Sequence, residues 1–369
     1  MAVKVIFSKV KEADFYSTLN KKVEAFFTAS KRSKKGNWLM LFKVLFYSSV
    51  FISAYLILIV AGTTVAVQFL LWMLLGLFTA FIGLNISHDA VHGSLSANKS
   101  INKILGYSFN VIGGNSYVWN ITHNIVHHTY TNIEGHDEDI EQIPLLRMSP
   151  HQKLRKVHRH QYWYAFFFYC LSSLSWVFIK DYVKFFKKEI GNYNNKQHPR
   201  IQYFILFASK AVYYILFLVL PLIFIKAAWW QILLGFIVMH FVQGITMAII
   251  FMLAHVVEET DFPLPDDTGT IKNTWAIHQL YTTADFGRNN FLLSFLCGGL
   301  NFQVEHHLYP RICHVHYKNI SAIVKETAES FNLRYNDNES LFSAMASHIR
   351  LLKALGREPA IVPEHQSHT

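Results

Sequence analysis

Phe81-Ile82-Gly83-Leu84-Asn85-Ile86-Ser87-His88-Asp89-Ala90-Val91-His92 joins two signals in one stretch. It closes an apolar run over about residues 66–86, long enough to cross a bilayer core, which takes about 20 helical residues. The run passes directly into two histidines four positions apart. Side chains at i and i+4 share a helix face, so His88 and His92 point the same way. Neutral imidazole is the commonest protein ligand for a metal. The stretch reads as a membrane helix that ends in a pair of metal ligands.

Two further clusters extend this reading: His123-Asn124-Ile125-Val126-His127-His128 and Gln303-Val304-Glu305-His306-His307. The chain has 20 histidines, and none precedes His88. A zinc site needs only about three or four protein ligands, so seven clustered imidazoles suggest two ions. Imidazole suits iron, copper, zinc and nickel, and ligand type alone leaves the metal open. The three cysteines, Cys170, Cys297 and Cys313, have no paired spacing and indicate neither a disulfide framework nor a zinc knuckle.

Composition agrees with a membrane protein of one main unit. Of 369 residues, 52% are hydrophobic and 16% charged, with a mean hydropathy of +0.21. A soluble chain carries more charge than that. Four stretches have spanning length: about 42–62, 66–86, 203–225 and 229–254. Tiny connections, Gly62-Thr63-Thr64-Val65 and Lys226-Ala227-Ala228, join them into two helical hairpins. Residues 1–41 form a polar, basic N-terminal segment with no cleavable signal, 42–320 the membrane domain, and 321–369 a polar, helical tail that frays at Pro363–His368. The net charge of +10 lies beside the apolar spans. The positive-inside rule explains it better than nucleic-acid binding does. Lys31-Arg32-Ser33-Lys34-Lys35, the Lys153–Arg159 run and Lys184, Lys187, Lys188 and Lys196 put all three clusters on the cytosolic side.

A fifth apolar segment, 162–183, is decided by parity. If it crossed, the second and third clusters would face opposite sides of the membrane. One metal site needs them together, so this segment reads as an interfacial or re-entrant helix on the cytosolic face. The expected architecture is an all-α membrane protein: four transmembrane helices in two hairpins, under a cytosolic helical cap that holds a histidine-rich di-metal site.

HDAVH, HNIVHH and QVEHH resemble the three histidine boxes of the membrane fatty acid desaturases in type, order and spacing, over roughly residues 40–320. The glutamine that opens the third box resembles the front-end branch, which acts between an existing double bond and the carboxyl end. Linoleoyl-CoA desaturases belong to that branch. The resemblance implies a centre of two Fe ions that activates O2 and removes two hydrogens from a fatty acyl chain. Carried over by position, its ligands are His88, His92, His123, His127, His128, His306 and His307. His255, in Met252-Leu253-Ala254-His255, matches a further family ligand at the end of the fourth span. His240 lies mid-span without such a match and reads as structural.

Asp89, Asp137, Asp139 and Glu305 are candidates for fixing histidine tautomers through the ring nitrogen that faces away from the metal. Glu134 and Glu138 read as solvated loop charges, and His136 as either ligand or loop. Gln303 stands where the saturated-acyl branch has histidine; orienting water and binding iron weakly are both open to it. The aromatic stretch 162–169 reads as interface packing before tunnel lining.

An unactivated methylene has no acidity for a side-chain base to exploit, so metal and O2 must supply the oxidant while the protein supplies position. A hydroxylase or alkane monooxygenase of the same superfamily, or a sphingolipid desaturase, is the nearest alternative. A metal transporter would need polar residues along mid-span, and the spans hold few. The substrate is fatty acyl-CoA or an acyl-lipid. The first 87 residues hold no histidine for a haem, and no flavin or nicotinamide glycine fingerprint is present. A separate electron donor, a ferredoxin or small cytochrome with its reductase, is therefore expected on the cytosolic face of a bacterial inner membrane or endoplasmic reticulum.

Overall fold

Five helices in the computed structural model are long and apolar enough to cross a membrane: Trp38–Val60, Val65–Val91, Lys156–Phe186, Arg200–Phe224 and Trp229–His255. The structure describes residues 5–9, 13–138, 140 and 143–359. Asp139 and the 363–368 terminus lie outside the described residues. Asn37 starts the first helix, its side chain accepting the backbone N–H groups of Leu39 and Met40, which satisfies donors that an uncapped helix leaves orphaned. Gly62, at φ 58°, makes the turn into the second, a conformation that glycine adopts without steric cost.

Val65–Val91 and Trp229–His255 pack lengthwise, and glycines allow it. A Cβ on Gly76 would run into the backbone carbonyl of Met239, and one on Gly235 into the Trp72 indole. Small residues at such crossings let apolar helices approach closely without a hydrophobic driving force. Both helices run from a short connection towards the histidines, so His88 and His255 emerge at the same end. Away from these seams, Leu45, Ile52, Leu56, Phe204, Phe207, Val212, Ile223 and Trp229 stay exposed. Contiguous apolar surface of this kind belongs against lipid.

The helix Lys156–Phe186 is the least apolar of the five. It packs beside the last one, where Ser173 Oγ lies 2.5 Å from His240 Nδ1 and Ser172 Oγ donates to the Gly244 carbonyl at 3.3 Å. Near its start, Gln161 Nε2 donates to the carbonyls of Arg147 (3.0 Å) and Leu352 (2.9 Å). At its end, Lys184 and Lys187 both pair with Glu138. Glu138 is therefore not the solvated loop charge expected from sequence: two ammonium groups cover it. Within 162–169, Trp163 and Phe167 are exposed while Ala165 and Tyr169 are buried, the split of a helix with one apolar face turned outward.

The remaining chain caps the histidine end. Helix Ala13–Ser30 lies on Tyr317–Ser330 through Phe15, Leu19, Val23 and Phe27 against Ile320, Val324 and Ala328. Helix Leu341–Leu355 is held by Arg147, whose guanidinium donates to the carbonyls of Leu355 and Glu358. Two-residue strands tie distant segments: Ile6–Phe7 runs parallel to Thr270–Ile271, and Asp285–Phe286 parallel to Asp337–Asn338.

Candidate metal centre

Backbone phase brings the first two boxes into register. The helix approaching His88 widens into a π-helical turn over Gly83–Ser87, and Asn120–His127 is π-helical throughout. The His128 N–H donates to the His123 carbonyl, an i to i+5 bond. In an α-helix, residues five apart point about 140° away from each other. The π turn returns them to one side, and His123 Nε2 lies 3.2 Å from His128 Nε2. The third box, on the short helix Gln303–Leu308, meets the first: His306 Nε2 is 3.2 Å from His88 Nε2.

Two groups result. His88, His92, His123 and His306 form one, and His127, His255 and His307 the other. His128 stands between them, grouped with His306 and His307. Ring nitrogens within each group lie within 4.8 Å of one another. The eight imidazoles are all buried. Burial first, then the neighbouring imidazoles, holds His92, His123, His128, His306 and His307 well below the usual histidine range. These rings are neutral at physiological pH and available as ligands.

Partners behind the rings fix which nitrogen carries the proton. His88 Nδ1 faces Asp89 Oδ1 at 3.3 Å. His127 Nδ1 faces Asp137 Oδ2 at 3.0 Å, and that oxygen also accepts the Asn132 N–H at 2.9 Å. His255 Nδ1 faces the Thr282 carbonyl at 3.3 Å, and His307 Nδ1 the Gln279 Oε1 at 2.7 Å. These oxygens only accept, so each Nδ1 donates and each Nε2 is left with a lone pair. Lone pairs from several rings then converge on two small volumes. Such an arrangement is repulsive without a cation at its focus, and the buried Nε2 atoms of His92 and His307 have no hydrogen-bond partner. The ligand set fits a pair of divalent ions.

Asp89 and Asp137 thus stand behind box histidines. Glu305 does not: its Oε1 lies 2.9 Å from Tyr335 OH, whose single proton is shared with Asp285 Oδ2 at 2.6 Å. Burial pushes both carboxyls up, and the neighbouring Asp285 raises Glu305 further. Gln303 Nε2 lies 2.9 Å from His255 Nε2, beside the second group. His136 is apart from both groups, with Nδ1 3.2 Å from the Glu134 carbonyl. His240 is held by Ser173 and, at 2.9 Å, by Tyr213 OH.

Sequence reading missed several ring partners: Gln279, the Thr282 carbonyl, and Tyr317, whose hydroxyl lies 3.1 Å from His306 Nδ1. It also passed over Lys43, a lysine inside an apolar span. A charge in such a place is itself a signal.

A family model described as Fatty acid desaturase matches residues 63–339. An sn-1 linoleoyl-lipid 6-desaturase of Arthrospira platensis is 34% identical over 356 residues, covering 96% of each chain. A Synechocystis sp. protein of the same name is 35% identical over 349 residues, 93% of this chain and 96% of its own. An acyl-lipid (8-3)-desaturase of Physcomitrium patens is 30% identical over 354 residues, 95% of this chain and 73% of its own.

Proposed function

The chain belongs to the fatty acid desaturase family, and from that premise we propose a front-end desaturase that works on an acyl-lipid with two iron ions. It is an oxidoreductase that desaturates fatty acyl chains. Its ions are held by His88, His92, His123 and His306 on one side, and by His127, His255 and His307 on the other, with His128 between them. The observation that carries this reading is the convergence of Nε2 lone pairs whose opposite nitrogens face fixed acceptors. Bound iron supplies, with O2, an oxidant strong enough for an unactivated methylene. The chain's own residues orient and exclude. Asp89, Asp137 and the Thr282 carbonyl hold three rings in one tautomer, which second-layer partners of metal-bound histidine commonly do. The rings of Trp119 and Phe251, 4.2 Å from His123 and 5.1 Å from His127, cover the site with apolar surface. Gln303, beside His255, is placed to orient a water or the second ion's open position.

The front-end position and the lipid-linked substrate rest on the glutamine of the third box and on the relatives, which act on acyl-lipids by name. For membrane layout we retain four spans in two hairpins, with the desaturase domain over 42–320 and the centre on the cytosolic side. Supporting this, both ends of Lys156–Phe186 are tied to the stretch from Glu138 to Arg147 that follows the second box. A helix anchored at each end to one such stretch suits a re-entrant course. A separate donor, a ferredoxin or small cytochrome with its reductase, would dock on the exposed Lys153, Arg155, Lys156 and Arg159. The basic stretch at 184–196 is less suited to it, being largely compensated: Lys184 and Lys187 pair with Glu138, and Lys196 lies 3.8 Å from Glu189.

The test is expression in a host without polyunsaturated fatty acids, with linoleate fed and products separated by gas chromatography. A new double bond between the existing one and the carboxyl end is expected. A hydroxylated product would favour the oxygen-inserting branch, and a bond on the methyl side would remove the front-end assignment.

A further inference from the structure

Lys43 lies inside the first apolar helix, 2% exposed, and among the described residues its ammonium meets an imidazole and not a carboxylate. Its Nζ is 2.8 Å from His314 Nε2. An ammonium can only donate, so His314 Nε2 accepts and the ring proton sits on Nδ1. That Nδ1 is 2.9 Å from Asp89 Oδ2, which also accepts the His314 backbone N–H at 3.1 Å. The other Asp89 oxygen faces His88 Nδ1 at 3.3 Å. All four side chains are buried. The chain is directional: Lys43 donates to His314, His314 donates to Asp89, and His88 donates to Asp89 from the other side.

A buried ammonium is costly unless its charge is answered. Here the answering charge is Asp89, and an imidazole separates the two. Nothing in the packing demands that spacing: a carboxylate at position 314 would pair with Lys43 directly. The arrangement instead leaves Asp89 bonded to the ligand ring while part of its negative charge is drawn towards Lys43. A carboxylate behind a metal-bound histidine makes the ring a stronger electron donor. The cation at the far end moderates it.

We propose that Lys43 and His314 are positioning residues that set the electron affinity of the His88-side ion through Asp89, linking the first membrane helix to the metal centre. The inference rests on the two-iron reading. It differs from a packing role because it depends on the charge of Lys43 and on the accept-and-donate pattern of His314, not on their volumes.

The experiment compares His314→Leu, His314→Gln, Lys43→Met and Lys43→Arg as purified, iron-loaded proteins. Iron content is measured first, then the fraction of reduced iron at a fixed applied potential by spectroelectrochemistry. Glutamine can accept from Lys43 and donate to Asp89, so His314→Gln should stay near wild type. His314→Leu and Lys43→Met leave Asp89 uncompensated, which stabilises the oxidised ion. The reduced-to-oxidised ratio should fall about tenfold, or about 59 mV for one electron, with iron content kept. Lys43→Arg retains the charge and should restore most of the ratio. Equal ratios in all four, at full iron content, would overturn the link. So would failure of His314→Gln to fold alongside His314→Leu and Lys43→Met, because the chain would then serve only the scaffold. Wild-type protein without redox-active iron would instead overturn the two-iron reading itself.

Discussion

His88 Nε2 and His306 Nε2 lie 3.2 Å apart although 218 positions separate them in the chain. Two nitrogens bound at about 2.1 Å to one ion, at ordinary coordination angles, stand about 3.0–3.4 Å apart. Purified protein should therefore hold about two irons per chain. His306→Ala and His127→Ala should each lose iron and lower activity by more than about 100-fold, while the protein still inserts. Metal analysis and product formation check this; full activity in either variant rules the di-metal arrangement out.

His255 and His240 sit on one helix but in different company. His255 has rings of His127 and His307 at 4.7 and 4.9 Å, whereas His240 is bonded to Ser173 and Tyr213. His255→Ala should behave like a box variant in iron content and turnover. His240→Ala should lose stability, by about 1–3 kcal/mol for stranded partners, and keep its iron. The reverse pattern would move the extra ligand to the wrong place.

Single cysteines near Lys156, Lys188 and Lys318, in a background without Cys170, Cys297 and Cys313, should react with a membrane-impermeant label from the cytosolic side. One at Thr64 should not. Labelling near Lys188 only from outside would mean that Lys156–Phe186 crosses the bilayer.

Donor docking should depend on the Lys153–Arg159 run more than on Lys184 and Lys187, which are already paired. Charge reversal at Lys153 and Lys156 should raise the donor concentration needed for half-maximal turnover about tenfold at low salt. The difference should shrink in high salt, since exposed charges are screened over about 8 Å at physiological ionic strength. Equal effects from Lys187→Glu would relocate the docking face.

Acid should weaken the fold through buried histidines outside the spans. Burial pushes His278, His314 and His348 down to about 4. The unfolded chain therefore takes up protons first, near the ordinary value of about 6.5. Their stabilisation is complete above that value and is lost as pH falls towards 4, at up to about 1.4 kcal/mol per unit for each group. Thermal unfolding of the metal-free protein in detergent between pH 7.5 and 4.5 checks the slope. His348→Gln should flatten it, because glutamine can serve both Tyr169 and the Val256 carbonyl without titrating. An unchanged slope would show that His348 does not carry it.

Hydropathy read the extent of these apolar helices to within a few residues: 203–225 against Arg200–Phe224, and 229–254 against Trp229–His255. Side-chain type and local spacing were enough for the seven box histidines that the fold gathers, since each box is local; His255 came from the family resemblance. Partners contributed by other segments were not legible. His314 meets Lys43 across 271 positions, and Tyr317 meets His306 from the following helix. No period in the chain marks either pair. Glu138 was misread for the same reason, because the lysines that cover it arrive on a helix about 50 residues later.

The π-helical stretch Asn120–His127 has one consequence that side-chain substitution does not expose. Such a turn holds one residue more than an α turn does. Removing one residue between His123 and His127 would let the backbone relax to the commoner helix while leaving every imidazole in the sequence. His128 would then follow His123 by four positions and stay on nearly the same helix face, whereas His127 would follow by three and turn to about 60° on the other side, and every residue beyond the box would be drawn back by one position. A one-residue deletion there therefore probes the backbone phase apart from the side chains, and alignments that slide a gap through the second box would misassign its histidines.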